Sequence, residues 1–547
     1  MLALAIAIVL CATSACSEPL PPPCDSDIYC HGELLHTVQM ARIYEDSKTF
    51  VDKKLLHSPE ETWTNFRTLM NATNNQPSKV EIAKFVDDNF ADGNELDKWT
   101  PTDHVENPAF LMRIRNVTVR EFAKNLTSRW PLLAVKIKEE VSANLDRYSL
   151  IPVPNGFVIP GGRFREFYYW DSYWILEGLL ISEMFDTARG MIENFIFIVE
   201  KYGFMPNGGR IYYLNRSQPP LLTAMAHRYF TATSNTTWVR KHIHNIAKEL
   251  RFWLDKRTVP VNVGGCNLTL ARYSVPASGP RPESYREDYA TAKGVEQVYV
   301  DLKSGAESGW DFSSRWFFDE DGGNNANLSS IMTSRAIPVD LNAYLCGAFR
   351  DIAQMYLAIG DMDNSAFWKA KYTEWRRAVH VAFWNRYDGT WYDLDSQSLK
   401  QRRYFYGSNL APLWSRCYES KRAPQLANAT VSYLEREGIL GYLGGVPTSV
   451  LNSGEQWDLP NAWPPLQDIA INGLRSTGDV RARSLANQLA HRWVDANILG
   501  FTTAGDMFEK YDAAVPGQYG GGGEYSVQTG FGWTNGVALK FIKQFYT

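Results

Sequence analysis

The stretch PGGRFREFYYWDSYW, residues 160–174, constrains this chain more than any other segment. It places Arg163, Arg165, Glu166, Asp171 and seven aromatic residues within fifteen positions. A core helix would distribute such residues with a 3.6-residue period, and this run does not follow one. Aromatic rings cover the C–H face of a sugar and charged groups bind its hydroxyls, so the stretch favours a polyhydroxylated ligand. An aromatic core segment with two surface ion pairs remains the alternative interpretation.

The composition is that of a large globular protein. The chain has 547 residues, of which 45% are hydrophobic and 21% are charged, so a sizeable core can be buried. Its formal net charge of −4 gives no basic surface for nucleic acid, which argues against a nucleic-acid partner. The aromatic share of 13% is high, as expected for a large sugar cleft or a large core.

The amino terminus has the pattern of a secretory signal. Leu2 to Leu10 is an apolar run, and Thr13 and Ala15 are suitable small residues before a cleavage point. Residues 1–16 are therefore predicted to be a signal peptide, 17–30 a Pro-rich lead, and 31–547 a single catalytic domain. No other apolar run approaches the ~20 residues needed to cross a bilayer, and the carboxyl terminus is too charged for a lipid anchor. The product is expected to be secreted, extracellular and without a membrane anchor.

The N-x-[ST] sequons and the cysteines agree with a secretory route. Asn215 begins one sequon, and N-glycans are predicted at several of the others, Asn71, Asn116, Asn125, Asn235, Asn267, Asn327 and Asn428. Cys24 and Cys30 can close a small disulfide loop. Cys266, Cys346 and Cys417 leave an odd number, so one thiol is predicted to be free unless Cys16 survives cleavage. The cysteine spacing matches no zinc pattern, and no metal or cofactor is expected.

Helical periodicity dominates the rest of the chain. It predicts helices over 127–141, 175–184, 186–201, about 221–231 and 481–494, and one that Asn364 and Ser365 cap. Residues 389–395 suggest a short hairpin, and strand-like alternation is otherwise scarce. Long loops rich in Gly, Pro, Trp and carboxylates separate the helices. One all-α domain with functional loops gathered at one end is the predicted organisation.

The loops favour carboxylate chemistry. No G-x-S-x-G elbow and no H-E-x-x-H motif is present, and the histidines lie outside the loops. Hydrolysis of a glycosidic bond needs two carboxyl groups, one that donates a proton and one that activates water or attacks carbon. Residue chemistry alone cannot choose this pair among the nine candidates, which are Glu166, Asp171, Glu283, Asp311, Glu455, Asp458, Glu509, Asp512 and Glu524.

Two long motifs resemble the signatures of the trehalase family, glycoside hydrolase family 37. They are PGGRFREFYYWDSYW (160–174) and QWDLPNAWPP (456–465), and GGGGEY (520–525) resembles the family's glycine-rich element. The similarity extends from about Cys24 to the end of the chain. It implies an (α/α)6 barrel and hydrolysis of α,α-trehalose to two glucose molecules with inversion, as in the soluble, secreted trehalases of animals.

The resemblance also implies roles for individual residues. Asp311 would be the general acid, and Glu509 the general base that activates water. Arg163, Arg216 and Arg281 would bind sugar hydroxyls. The other implied substrate-binding residues are Trp170, Asp171, Asn207, Ser217, Gln218, Pro282, Glu283, Gly309 and Glu524.

Three further expectations follow from this assignment. Asp311 must stay protonated, so it is expected to lie away from the arginines, among Trp310, Phe312 and Trp316. Inversion needs about 6.5–9.5 Å between the two carboxyl groups. A glycan on Asn215 would obstruct the cleft, so that sequon is predicted to be unmodified. Two other hypotheses are a glycosidase of another (α/α)6 family and a secreted sugar-binding protein without catalysis.

Overall fold

The computed structural model describes residues 19–523 and 528–547. The predicted signal peptide, Cys16 and Glu524 lie outside the described residues. Within these ranges the chain is mainly helical, with short two- and three-stranded sheets between the helices. No helix in the described ranges is long and apolar enough to cross a membrane.

Helices of the described chain form a double-layered barrel. Even-numbered helices form the inner ring and odd-numbered helices pack outside it. In chain order they are α1 Val117–Thr127, α2 Asp171–Ile181, α3 Phe185–Tyr202, α4 Leu222–Thr233, α5 Thr236–Lys256, α6 Val339–Ala358, α7 Met362–Phe383, α8 Ala411–Trp414, α9 Ala423–Arg436, α10 Pro464–Ser476, α11 Val480–Ala504 and α12 Gly532–Phe545. Each inner helix packs on the next, and α12 closes the ring against α2. The fold is an (α/α)6 barrel, as predicted.

The sequence of each helix explains its layer. In α2 every side chain but Leu180 is buried, which suits a helix surrounded by protein on all sides. In α5 the apolar residues from Trp238 to Trp253 lie on one stripe and the opposite face is polar, which suits the outer layer. Local signals fix the ends: Asn235 accepts a hydrogen bond from the Trp238 amide at 2.9 Å, and Gly203 ends α3 at φ 88°.

A smaller helical unit precedes the barrel. Its helices are Glu33–Met40, Lys48–Val51, Pro59–Ala72 and Lys79–Asn89, and they enclose a second hydrophobic core. Ser78 and Glu81 form a capping box at the start of the last of these helices. This unit packs against the loops that precede α2 and the loop around Pro282.

The remaining elements are short. The other helices are Trp130–Leu133, Glu139–Ala143, Tyr285–Ala292 and Glu296–Glu307. The antiparallel pairs are Lys54–Leu55 with Phe90–Ala91, Thr258–Val263 with Cys266–Ala271, Ala336–Ile337 with Leu394–Asp395, Trp384–Asn385 with Thr390–Trp391, and Asn461–Ala462 with Tyr511–Asp512; one sheet has the order Leu96–Lys98, Ala134–Ile137, Phe157–Val158.

Several sequence-based expectations need correction. The segment 127–141 is not one helix: residues Ala134–Ile137 form the central strand of the three-stranded sheet, because Val135 and Ile137 are β-branched and find partners on both sides. The strands of 389–395 belong to two separate ladders and do not form a hairpin with each other. The helix cap at α7 is Asp361, whose carboxylate accepts from the Asn364 amide. The hairpin at 258–271 had not been predicted.

The disulfide expectations can be completed. Cys24 pairs with Cys30, as suspected, and Cys346 pairs with Cys417. Cys266 is a free thiol among the described residues. The second bridge joins inner helix α6 to the segment after α8, two stretches that the sequence separates by 71 positions.

Candidate active site

A pocket lies at the end of the barrel where the inner helices begin. Asp171 is the first residue of α2, Trp463 immediately precedes α10, and Phe531 immediately precedes α12. The remaining lining residues come from loops, from the small N-terminal unit and from two helices, which contribute Ala306 (helix Glu296–Glu307) and Trp533 (α12). The lining comprises Lys48, Arg163, Phe164, Tyr168, Trp170, Asp171, Asn207, Tyr213, Arg216, Gln218, Arg281, Glu283, Ser284, Ala306, Gly309, Asp311, Trp457, Trp463, Glu509, Phe531 and Trp533.

Asp311 lies in this pocket on the loop after helix Glu296–Glu307. Burial raises the pKa of its carboxyl group above the usual range, while the positive charges of Arg281 and Arg216 oppose that rise. The expectation that Asp311 lies away from the arginines is therefore wrong. Desolvation prevails over the arginines, so the carboxyl group retains its proton to higher pH than an exposed aspartate.

Glu509 also lines the pocket. It lies on the loop between α11 and α12 and is 2% exposed. Its backbone is fixed from the beginning of α12: the Trp533 indole donates to the Glu509 carbonyl at 2.9 Å. Its amide donates to the Gln528 carbonyl, also at 2.9 Å. The first turn of an inner helix therefore sets the position of this carboxylate.

Gln456 connects the loops that carry Asp311 and Glu509. Its side-chain amide donates to the Asp311 carbonyl at 2.5 Å, and its side-chain oxygen accepts from Lys510 at 2.8 Å. The neighbouring Trp457 amide donates to the Phe312 carbonyl. The relative position of the two catalytic candidates thus depends on the segment 456–465.

Asp171 adds a third carboxyl group to the pocket. Burial, together with the negative charges of Glu509 and Asp311, raises its pKa to about 8, although a backbone hydrogen bond opposes the rise. Glu509 and Asp311 therefore lie close enough to Asp171 for their charges to affect its ionisation. Asp171 is therefore mainly neutral at pH 7 in the ligand-free pocket, and can donate as well as accept a hydrogen bond.

Arginine and carboxylate side chains on the pocket wall hold one another in place. Arg216 donates to Asn207 at 3.1 Å and to Glu283 at 2.5 Å, and Arg281 is bound by Asp288 at 2.7 Å. Arg216 Nη1 and Glu283 Oε2 are buried without a hydrogen-bond partner among the described residues. A polar ligand that reaches them would satisfy a donor and an acceptor that are already desolvated.

Tryptophans form the base of the pocket. The rings of Trp457 and Trp463 stack with centroids 4.0 Å apart, and Trp170 packs on Trp457 and Trp533. Gly309 has φ 76°, and a Cβ there would lie 2.8 Å from the Trp170 ring. Glycine is therefore required at 309 for the loop to pass this close to the aromatic base.

Most of the predicted site residues meet in this pocket. Arg163, Trp170, Asn207, Arg216, Gln218, Arg281 and Gly309 line it together with the carboxyl groups described above. Ser217 and Pro282 lie behind the lining: Ser217 bonds the Met205 carbonyl, and the Pro282 carbonyl accepts from Gln39. Their part in substrate binding stays a prediction, and Glu524 falls outside the described residues.

Other candidate carboxylates have structural partners. Glu166 is buried beside Lys48 at 2.8 Å and Arg210 at 3.9 Å, and Asp458 accepts from the Ser314 amide at 2.6 Å. Asp512 accepts from amides of the following turn. No group of three or more side chains suited to a metal ion occurs among residues 19–523 and 528–547.

Sequence reasoning missed several pocket residues. Lys48 comes from the N-terminal unit, more than 100 positions before the first motif, and no local pattern marks it. Trp457 and Trp463 lie within the motif at 456–465, so the density of tryptophan in that loop was a usable signal, whereas Trp533 lies outside the identified motifs.

Comparison with known proteins agrees with this geometry. The family model described as Trehalase matches residues 42–546. A trehalase of Tenebrio molitor is 51% identical, with 100% of this chain and 99% of that protein covered. A trehalase of Homo sapiens is 46% identical, with 96% and 91% covered. The neutral trehalase of Saccharomyces cerevisiae, a solved structure, is 26% identical and superposes with a TM-score of 0.59 over 74% of this chain and 79% of that one.

The match covers both long motifs, the barrel and the loops that form the pocket, and nearly the whole chain aligns with its relatives. This chain belongs to the trehalase family of glycoside hydrolases.

Proposed function

We propose that the chain hydrolyses α,α-trehalose to two glucose molecules with inversion, with Asp311 as general acid and Glu509 as general base. Family membership supports the substrate and the overall reaction. The assignment of the two residues and the stereochemistry are inferences from the pocket. The observation that carries them is a buried pocket that Asp311 and Glu509 line together, both close enough to Asp171 for their charges to raise its pKa.

The raised pKa of Asp311 supports its role as acid. A carboxyl group that keeps its proton to higher pH than an exposed aspartate can donate it to the glycosidic oxygen as the bond breaks. Arg281 and Arg216 keep that pKa from rising further, so the group can still ionise once the proton has been transferred. On leaving-group departure Asp311 becomes a carboxylate that these arginines stabilise.

Glu509 would act on the opposite side of the sugar. As a carboxylate it would accept a proton from water while the water oxygen attacks the anomeric carbon. A direct inversion needs room for that water, so we expect about 6.5–9.5 Å between the Asp311 and Glu509 carboxyl groups. The substrate is small and polar, and unpaired atoms of Arg216 and Glu283 are suited to its hydroxyls.

NMR of the first glucose anomers released from trehalose tests the proposal. Inversion predicts equal initial α- and β-glucose, because the bond attacked by water inverts and the leaving glucose keeps its α configuration. Release of α-glucose alone would contradict inversion and require a covalent intermediate. No release from well-folded protein would contradict hydrolysis and favour a sugar-binding protein without catalysis.

Single substitutions test the two roles. We expect Asp311→Asn and Glu509→Gln each to lower kcat at least about 100-fold, because acid–base catalysis typically contributes 10²–10⁴-fold. Sugar binding, measured by calorimetry, should be largely retained. Asp512→Asn, on the loop outside the pocket, is the matched control. Unchanged turnover in either pocket variant would remove that residue from the mechanism.

We also propose that the chain is secreted and carries N-glycans at several of its sequons. The apolar start, the disulfides and the exposure of Asn71, Asn267, Asn327 and Asn428 support this route. Expression in insect cells, followed by analysis of the medium before and after glycosidase treatment, tests it. Retention of the protein inside the cells would contradict the proposal.

A further inference from the structure

A second cavity, of about 280 Å³, lies on the barrel axis at the end opposite the trehalose pocket. The inner helices begin at the pocket, and this cavity is lined by their later turns. Its charged lining residues are Glu177, His227, Arg228, Arg350, Asp351, Arg416, Arg475 and Lys540. Without counting histidine, five cationic side chains therefore face two carboxylates.

The charges in this cavity are only partly paired. Arg228 binds Glu177 at 2.6 Å, Arg350 binds Asp351 at 2.7 Å, and Lys540 binds Asp468 at 3.0 Å. Within the part of the chain that the structure describes, Arg416 and Arg475 have no ion pair. Both lie at the exposed mouth of the cavity. Two guanidinium groups thus remain available to an anion from solvent.

Tyr344 borders the cavity, but its hydroxyl group is turned toward the barrel interior. Tyr344, on inner helix α6, lines the cavity and is 3% exposed. Its hydroxyl oxygen is buried and has no hydrogen-bond partner among residues 19–523 and 528–547. The charged groups that act on this hydroxyl are Asp340, Arg315 and Asp468, none of which lines the cavity, so the hydroxyl does not serve an anion bound there.

We propose that this cavity is a binding site for an oxyanion of the phosphate class. Planar guanidinium groups bind phosphate through paired hydrogen bonds, and Arg416 and Arg475 supply two such groups. This inference does not depend on the proposed trehalose hydrolysis, because the two cavities share no lining residue.

The scaffold holds these groups in place. Arg416 precedes Cys417, whose disulfide to Cys346 ties the segment to α6 beside Gly347, a lining residue. Arg350 donates to the Ser415 carbonyl at 2.5 Å and thereby neutralises a helix end, a common role for arginine at helix carboxyl termini. Arg416 and Arg475 make no such side-chain hydrogen bond among the described residues, so helix capping does not account for them.

Calorimetric titration with inorganic phosphate, at an ionic strength held constant with sodium chloride, tests the proposal. The intact chain should bind one phosphate saturably. The double variant Arg416→Gln/Arg475→Gln should bind it at least about tenfold more weakly. Tyr344→Phe, which removes a hydroxyl that does not face the cavity, should bind phosphate as the intact chain does. The control Arg67→Gln/Arg386→Gln, which removes two exposed arginines elsewhere, should bind as the intact chain does.

The outcomes separate this site from the trehalose pocket, which also contains arginines. Phosphate binding that survives Arg416→Gln/Arg475→Gln, or that trehalose displaces from catalytically inactive Asp311→Asn protein, would overturn the proposal. Absence of saturable binding would also overturn it. The positive charges of the arginines would then be explained by their interaction with the carboxyl ends of nearby helices. A parallel titration with glucose 6-phosphate distinguishes the source: tighter binding than phosphate identifies a phosphorylated sugar, and equal or weaker binding identifies the free ion.

Discussion

At the scale of single residues, the pocket contains carboxyl groups whose pKa values are raised by the fold. Asp311 and Asp171 are both kept from ionising by burial, and each lies near other carboxyl groups. Such shifts require that the surrounding packing tolerate an unfavourable environment for charge. Residues of this kind commonly lower stability in exchange for activity.

Asp171→Asn is expected to stabilise the ligand-free protein near pH 8. The folded-state pKa of Asp171, about 8, lies above its unfolded value, so the stability from its bound proton is complete below pH ~4. That contribution is lost progressively as pH rises to about 8. Replacing this carboxyl group with an amide that does not ionise should raise the free energy of unfolding by roughly 1–3 kcal/mol at pH 8. Denaturant titrations at pH 5 and pH 8 measure this.

The gain at pH 5 should be smaller than the gain at pH 8, and turnover should fall in the variant. An equal change in stability at both pH values would contradict a proton-linked effect. Asp512→Asn, whose carboxylate caps a turn, is the control.

Asn215 should carry no glycan, although it begins a sequon. Both polar atoms of its side-chain amide are buried, so an attached sugar could not be accommodated in the folded loop. The adjacent Arg216 lines the pocket. Glycopeptide mapping of secreted protein should find Asn215 unmodified and at least some of the exposed sequons, such as Asn71 and Asn428, occupied. Occupancy at Asn215 in active protein would refute this.

At the scale of elements, loops from distant parts of the chain are joined at the pocket. The segment 456–465 contacts both the Asp311 loop and the Glu509 loop, and it continues directly into inner helix α10. A rigid barrel helix thus supports a connection between two catalytic loops. This arrangement is the usual way in which loops acquire a precise geometry.

Gln456→Ala should lower kcat about tenfold to 100-fold and change KM little. The side chain does not line the pocket, but it fixes the Asp311 carbonyl and the Lys510 ammonium group. Misplacement of catalytic groups by about 1 Å can reduce rates about 100-fold. Steady-state kinetics on trehalose measure both constants.

Gln467→Ala is the matched control. Gln467 is as buried as Gln456. Its side chain exchanges two hydrogen bonds with the Val446 backbone and donates a longer one, at 3.4 Å, to the Trp463 carbonyl, but it bonds neither the Asp311 loop nor the Glu509 loop. Its loss should lower stability by a similar amount without the same loss of kcat. Equal loss of kcat in the two variants would indicate that general destabilisation is the cause.

At the scale of the whole molecule, the N-terminal unit completes the barrel's active-site end. Asp46 binds Arg163 at 3.1 Å, Gln39 donates to the Pro282 carbonyl, and Arg286 donates to the Tyr44 carbonyl at 2.7 Å. The unit therefore contacts both the first motif and the loop that carries Arg281 and Glu283. Lys48 connects this unit to the first motif through its ion pair with the buried Glu166, and it also pairs with Asp52 within the unit.

Lys48→Met should destabilise the protein by about 3 kcal/mol, because it leaves the buried Glu166 carboxylate with only the more distant Arg210, at 3.9 Å, as a positive partner. KM for trehalose should also rise, since Lys48 lines the pocket. Thermal denaturation and kinetics measure the two effects. Lys84→Met, which removes an exposed pair with Asp88, should cost less than about 1 kcal/mol. Similar losses in both variants would contradict a buried structural role for Lys48.

The sequence by itself determined what depends on neighbours along the chain. Helix positions followed from apolar periodicity, and the ends at Gly203 and Asn235 from local capping chemistry. The motifs marked most loops of the pocket because each carries its own cluster of aromatic and charged residues. The (α/α)6 barrel followed from the resemblance of those motifs to a family.

Only the tertiary structure decided what depends on partners far apart in the chain. The strand Ala134–Ile137 formed because two other segments could pair with it, and Lys48 entered the pocket because a separate core carries it there. The same holds for Asp311: its neighbours in sequence suggested isolation from arginines, yet folding brought Arg281 and Arg216 close to it. Desolvation and long-range Coulomb interactions depend on distances in space, which local sequence patterns do not encode.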